Sequence, residues 1–170
     1  MEQEFFDGIE KNPIIGIFGN TTFPNKSIGE GIREKSKVIS ELTKLLKRIE
    51  PSKVYLIPHK GVNLTTLMVL QFLNIPYSIV NPYKGYFNNI QSSDKLKIVM
   101  GMENSSSVIT IGKNPKNARG TLKALSETED FIIERSDLII SIIGEKPDKI
   151  LHNLNMKLPD SGKNVIFFKY

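Results

Sequence analysis

The chain contains no cysteine and only two histidines, His59 and His152. Each shortage removes a class of chemistry. Without cysteine there is no disulfide, no zinc–thiolate site and no thiol nucleophile, and two histidines leave little for an imidazole metal centre. Any chemistry must come from carboxylates, lysines, hydroxyls or backbone, and the sequence calls for no cofactor and no metal. Long apolar runs are missing too. None approaches the roughly 20 residues that span a bilayer, and the start, "MEQEFFDGIEKNP", lacks the basic region and apolar segment of a signal peptide. The expectation is a cytoplasmic protein with no membrane partner. There is no internal repeat, low-complexity tract or linker.

What is present is enough for one real core: 170 residues, 39% of them hydrophobic, the size of a single compact domain. The formal charge of +5 and pI near 9.3 favour anionic partners. The lysines are spread rather than massed in one block, so a phosphorylated small molecule suits the charge as well as nucleic acid does.

Two kinds of segment alternate. Short apolar runs lie at Pro13 to Gly19, Lys53 to Pro58, Pro76 to Pro82, Ser106 to Gly112, Ser136 to Gly144 and Lys163 to Tyr170. Near-continuous Ile, Val, Leu, Tyr and Phe is the pattern of parallel strands buried on both faces. Between the first two, Ile28, Ile32, Val38, Ile39, Leu42, Leu45, Leu46 and Ile49 recur at three- and four-residue steps, which predicts an amphipathic helix closed by Pro51. Leu64, Leu67, Met68, Leu70, Phe72 and Leu73 predict a nearly all-round apolar helix, among the more buried ones. Further helices are expected over 94–102, 121–135 and 147–154. Strands alternating with helices predict a Rossmann-like three-layer α/β domain over 13–170, a parallel sheet of about six strands with helices on both faces. Residues 1–12 read as an N-terminal arm.

In such a sheet the ligand sits beyond the carboxyl ends of the strands, so the residues after each strand are the candidates. After the first come Gly19, Asn20, Thr21 and Thr22, a glycine for close approach and short side chains able to bond phosphate or ribose, with Ser27 placed as the cap of the following helix. After the second, His59, Lys60, Gly61 and Asn63 stand where a helix begins and its free N–H groups and positive dipole end favour an anion. After the third, Asn81, Pro82 and Tyr83 are followed by Tyr86 and Phe87, rings that could stack on a nucleobase or seal the core edge. The segment Ser126 to Asp137 is dense in carboxylates, of which Glu127, Glu129, Asp130 and Glu134 include a candidate acid. On a helix, most such charges are a solvated face.

These segments together resemble the SLOG superfamily of Rossmann-like domains, which includes the cytokinin-activating LOG phosphoribohydrolases, the DprA core and the YpsA-type proteins. The likeness is to the YpsA type most of all and covers Ile14 to about Phe168. It is carried by "IGIFGNTTF", by "LIPHKGVNLTTLMVLQFLNIPYSIVNPYKG" and by "DFIIERSDLIISIIG". The departures fall on the functional positions. Pro58 and His59 replace a glycine pair of the second turn, Asn63 replaces its acidic residue, and Thr128 stands where the phosphoribohydrolases carry an arginine. After the fifth strand, "IIGEKPDKIL" keeps only Gly144 of a "PGG-x-GT-x-x-E" signature. The resemblance therefore implies a nucleotide pocket that persists without the hydrolytic pair, and a homodimer. Three functions follow as expectations. One is non-catalytic binding of a nucleotide or nucleotide-derived signal. Another is N-glycosidic hydrolysis of a nucleotide with Glu129 or Glu145 as the carboxylate. The third is single-stranded DNA binding.

Overall fold

The computed structural model describes residues 11–21, 23, 28–88, 90 and 92–170. Residues 1–10 of the expected N-terminal arm, Thr22 and the expected cap Ser27 lie outside them. The chain runs β1 (Ile14–Gly19), α1 (Ile28–Ile49), β2 (Lys53–Leu56), α2 (Val62–Phe72), β3 (Tyr77–Tyr83), α3 (Ser92–Glu103), β4 (Ser107–Gly112), α4 (Ala118–Arg135), β5 (Leu138–Ile143), α5 (Lys149–Lys157), a 3-10 turn (Leu158–Ser161) and β6 (Asn164–Lys169). All strand pairs are parallel, in the order β4-β3-β2-β1-β5-β6. This is a three-layer α/β fold, as the alternation of segments predicts.

Strand periodicity divides the core in two. Ile15, Ile17, Leu138, Ile140 and Ile142 point to one face, where Val38, Leu42 and Leu46 of α1, Leu67 and Leu70 of α2 and Ile98 of α3 cover them. Phe18, Ile139 and Ile143 point to the other, against Ile132 and Ile133 of α4 and Leu151 and Leu154 of α5. The central strands β1, β3 and β5 are buried almost throughout. The edge strands β4 and β6 are not: their burial alternates, and Val108 and Phe167 are exposed. Six runs of similar apolarity therefore include two that sit at edges, where one face and one hydrogen-bonding side stay open.

Helix ends are set by local chemistry. The last turn of α1 hands over to Glu50 in the left-handed region (φ 51°), whose N–H donates to the Leu46 carbonyl, and Pro51 forbids continuation. The apolar helix α2 is wedged between α1 and α3 and is mostly buried, yet Met68 and Phe72 face outward. The two residues of the "SD" pair act at the opposite end of the sheet from the candidate site. Ser136 donates to the Ile132 carbonyl at the close of α4, and Asp137 bonds the backbone of Ile14 in both directions, lashing the start of β5 to the start of β1.

Candidate functional site at the carboxyl ends of the strands

Strand order reverses at β1, whose neighbours β2 and β5 lead to opposite edges. The crevice between the carboxyl ends of β1 and β5 is where an open α/β sheet ordinarily takes its ligand. Here that crevice is stitched shut. Thr21 donates to Asp148 Oδ2 twice, through its N–H at 2.6 Å and its hydroxyl at 2.8 Å. The other oxygen of Asp148 accepts from Leu151 N–H at 2.9 Å and so caps α5. Asn20 Nδ2 reaches the Lys146 carbonyl at 2.8 Å. The helix end that could have cradled a phosphate is thus held by the protein's own carboxylate.

The second turn is equally packed. Gly61 has φ 77° and ψ −131°, and a Cβ there would lie 2.5 Å from the Thr21 carbonyl carbon and 2.6 Å from the Asn20 carbonyl oxygen. Only glycine fits both the backbone conformation and the space. Val62 N–H, the first of α2, donates to that Asn20 carbonyl. At Gly19 a Cβ would come within 2.3 Å of Val62. Both glycines therefore serve the contact of the β1 loop with α2. Asn63 donates from Nδ2 to the Ile57 carbonyl, and its Oδ1, like those of Asn20 and Asn81, is buried without a partner. Asn81 and Pro82 are buried within β3 itself and not in the loop that follows it, because the strand continues to Tyr83.

What stays open lies one strand further out. A cleft of about 790 Å³ is bounded by His59 and Lys60 after β2, Tyr83, which is the last residue of β3 and not a loop residue, Tyr86 after it, Asp94 of α3, Thr121, Leu122 and Leu125 of α4, and Ile150 of α5. Its aromatic wall is edge-on throughout: His59 to Tyr86 at 5.6 Å between ring centres, Tyr83 to Tyr86 at 5.3 Å and Tyr86 to Phe87 at 5.4 Å. Burial holds the His59 imidazole neutral, its pKa lowered to about 4 although Asp148 pulls the other way, and Lys60 lowers it further. Lys60 N–H donates to His59 Nδ1, so the neutral ring carries its proton on Nε2. Burial, with Tyr83 and Glu129 adding to it, pushes the Tyr86 hydroxyl well above the usual phenol range.

A smaller compartment of about 210 Å³ continues the cleft between α4 and α5, sharing Leu122, Leu125 and Ile150 with it. At its end stands Glu129, whose side chain is 7% exposed, with Lys157 Nζ 3.5 Å from Oε2. Burial raises its carboxyl to about 7; Lys157 opposes the shift and Asp130 adds to it. Of the acidic residues in this helix Glu129 alone is buried; Glu145, after β5, is exposed. Thr128 is fully buried and donates to the Ala124 carbonyl within its own helix. Among the described residues no group of three His, Asp or Glu side chains could hold a metal ion, and no helix is long and apolar enough to cross a membrane.

The candidates read from sequence thus part into three sets. His59, Lys60 and Tyr83 line the cleft; Gly19, Asn20, Thr21, Gly61 and Asn63 build the packed junction beside it; Asn81 and Pro82 are in strand β3. Asp148 and the apolar helix residues Leu122, Leu125 and Ile150 were not among the candidates, whereas Glu129 was, as a possible acid. The signal for Asp148 was its place directly before the helical run "KILHNL", that of an N-cap. For Leu122 and Leu125 it was their spacing with Ser126 and Glu129, one helical stripe.

No protein-family model matches the chain, and no curated protein matches it. Solved structures do. TM1055, a structural-genomics target, superposes with a TM-score of 0.57 at 14% identity, over 92% of this chain and 72% of that one. DNA processing protein A (DprA) from Streptococcus pneumoniae superposes with a TM-score of 0.53 at 10% identity, over 91% of this chain. The chain spans only 58% of the DprA chain. At these identities the likeness is one of fold, a three-layer α/β domain on a parallel sheet.

Proposed function

We propose that the chain is a SLOG-superfamily protein that binds a nucleotide or nucleotide-derived anion in the 790 Å³ cleft, as a sensory or regulatory domain without catalysis. The observation that carries this reading is the lining of that cleft. Tyr83 and Tyr86 offer ring surface to a base, neutral His59 offers an Nε2 proton to a hydroxyl or phosphate oxygen, and Lys60 puts an exposed ammonium at the rim. Against catalysis stand the uncharged, inward-turned Thr128 and the engagement of Asp148 in holding Thr21 and Leu151.

Calorimetric titration with nucleoside monophosphates tests it. Lys60→Ala and Tyr83→Ala should each weaken binding roughly fivefold or more, the loss of one charge-assisted bond or one stacking surface. Unchanged affinity in both variants would move the site elsewhere. One observation favours a second reading: a buried carboxyl poised near neutrality, Glu129, is what an N-glycosidase acid requires. Chromatography of the same mixtures for released base separates the two, since appreciable release ends the binding-only view.

A second copy of the chain is the proposed partner on the outer helix layer. Met68 and Phe72 of α2 and Leu96, Val99 and Met100 of α3 are between 41% and 76% exposed, roughly 400–500 Å² of apolar side chain, at the upper end of what a monomer leaves uncovered. The 11 residues of α2 include no charge. Two copies of a chain with net charge +5 repel, and the uncharged outer face of α2, beside the mixed charges Asp94, Lys97 and Glu103 of α3, is where they meet at least cost.

A further inference from the structure

We propose that the narrow compartment at Glu129 and Lys157 reads the hydrogen-bonding edge of a guanine base, making the cleft a site for guanine nucleotides. The inference rests on the cleft being a nucleotide site and adds which base it takes. Three features of the compartment carry it.

The first is an underused buried carboxylate. Glu129 is 5% exposed, and desolvation of this kind is tolerated when partners compensate. Its partner Lys157 lies 3.5 Å away, shares itself with Asp130 at 3.5 Å and donates its short bond to Ser126 Oγ. A charge-assisted bond is ordinarily about 2.7–2.9 Å. Glu129 therefore retains capacity for donors arriving from the compartment.

The second is the order of groups. Guanine presents two adjacent donors, N1–H and the N2 amine, beside an acceptor, O6. A carboxylate matches the donors and the neighbouring ammonium matches O6, while Asn153 adds an amide on the same wall. Adenine reverses the pattern and would set its N6 amine against Lys157.

The third is continuity. Leu122, Leu125 and Ile150 line both compartments, apolar surfaces for the two faces of a base. Tyr86 packs edge-on against His59 at 5.6 Å between ring centres and lines the larger cleft with Lys60, so a nucleotide whose base enters the compartment has its ribose and phosphate in the cleft that Lys60 borders.

The state of Glu129 gives the reading a signature. Guanine needs the ionised carboxylate, whereas adenine pairs with the neutral acid. The charged and titratable groups that face it are Lys157 and Lys149 from α5, Asp130 on α4 and Tyr86 from the loop after β3. With its carboxyl at about 7, guanine affinity should rise with pH across neutrality and adenine affinity should fall.

The test is titration of the whole chain with GMP, IMP, AMP and CMP at pH 6 and pH 8. At pH 8 GMP should bind roughly tenfold tighter than AMP, a typical discrimination for a two-bond base contact, with IMP, which lacks the N2 amine, between them. GMP affinity should rise about threefold or more from pH 6 to pH 8. Glu129→Gln should abolish both the preference and the pH dependence by weakening GMP roughly tenfold at pH 8, and Lys157→Gln, at a half-exposed position, should weaken GMP and IMP alike. The nucleotide and pH series needs no variant, so the outcome does not hang on the folding of either substitution. Equal binding of all four nucleotides at pH 8, tighter AMP at pH 8, or Glu129→Gln with the GMP preference intact overturns the guanine assignment and leaves the cleft standing. Failure of every nucleotide to bind overturns both.

Discussion

Removal of the Asp148 carboxylate should cost far more than a loop substitution usually does. In Asp148→Ala, Leu151 N–H loses its cap, worth about 1 kcal/mol, and Thr21 loses the acceptor of its N–H and its hydroxyl. Hydrogen bonds to a charged, partly buried group contribute about 1.5–3 kcal/mol when the partner is left behind. The sum is roughly 3 kcal/mol, or a fall in Tm of roughly 6–12 °C for a chain of this length. Asp148→Asn keeps a good cap and one acceptor, so it should lose only about 1 kcal/mol. Thr21→Val removes the hydroxyl alone, and its effect should vanish in the Asp148→Ala background, a coupling of about 1 kcal/mol. Urea unfolding of the wild type, the three single variants and the double variant measures all of these. If Asp148→Ala falls within about 0.5 kcal/mol of wild type, as an ordinary surface change does, the β1 and β5 loops are not joined in the way described.

Gly61→Ala meets both a left-handed backbone and the Thr21 carbonyl 2.5 Å from the new carbon, and should destabilise by more than about 3 kcal/mol in the same assay. The pH dependence of stability should show two opposed contributions. Glu129 is raised from 4.5 to about 7 in the folded chain, so the folded state holds the proton longer and stability falls as pH rises between those values, by up to about 3 kcal/mol. His59 is lowered from 6.5 to about 4, so its contribution is present above 6.5 and lost as pH falls toward 4. The two partly cancel between about pH 4.5 and 6.5; urea midpoints should therefore become steeper upward with pH in Glu129→Gln and steeper downward in His59→Gln, and parallel profiles would refute the assignment. Phe72→Glu should convert a dimer to a monomer in light scattering with the circular dichroism of the fold unchanged, since Phe72 is 76% exposed within one chain, and should make Tm independent of protein concentration.

Most of the fold is legible in the sequence because its causes are local or periodic. Runs such as "LIISII" leave no reading but a buried strand, and Pro51 and Ile49 bound α1 within a residue. The edge positions of β4 and β6 are not legible, since strand order is decided by crossovers and not by the strand's own residues. At the site, position at or after the end of a strand finds His59, Lys60 and Tyr83. It cannot say that Asn20 and Thr21, equally well placed, are engaged by Lys146 and Asp148 more than a hundred residues later. Likewise, Glu129 is on the stripe of α4 that faces inward, but what separates it from Glu127 and Asp130 is the arrival of α5 with Lys157, a contact between helices that no spacing within either one records.

The carboxylate at position 148 also links the packed junction to the cleft beside it. One oxygen holds the β1 loop and the other the first turn of α5, while its charge favours the protonated form of His59 against burial. A change in the tension of that junction is therefore felt at the imidazole of the cleft: loss of the Asp148 charge would leave burial and Lys60 unopposed and hold His59 neutral to still lower pH.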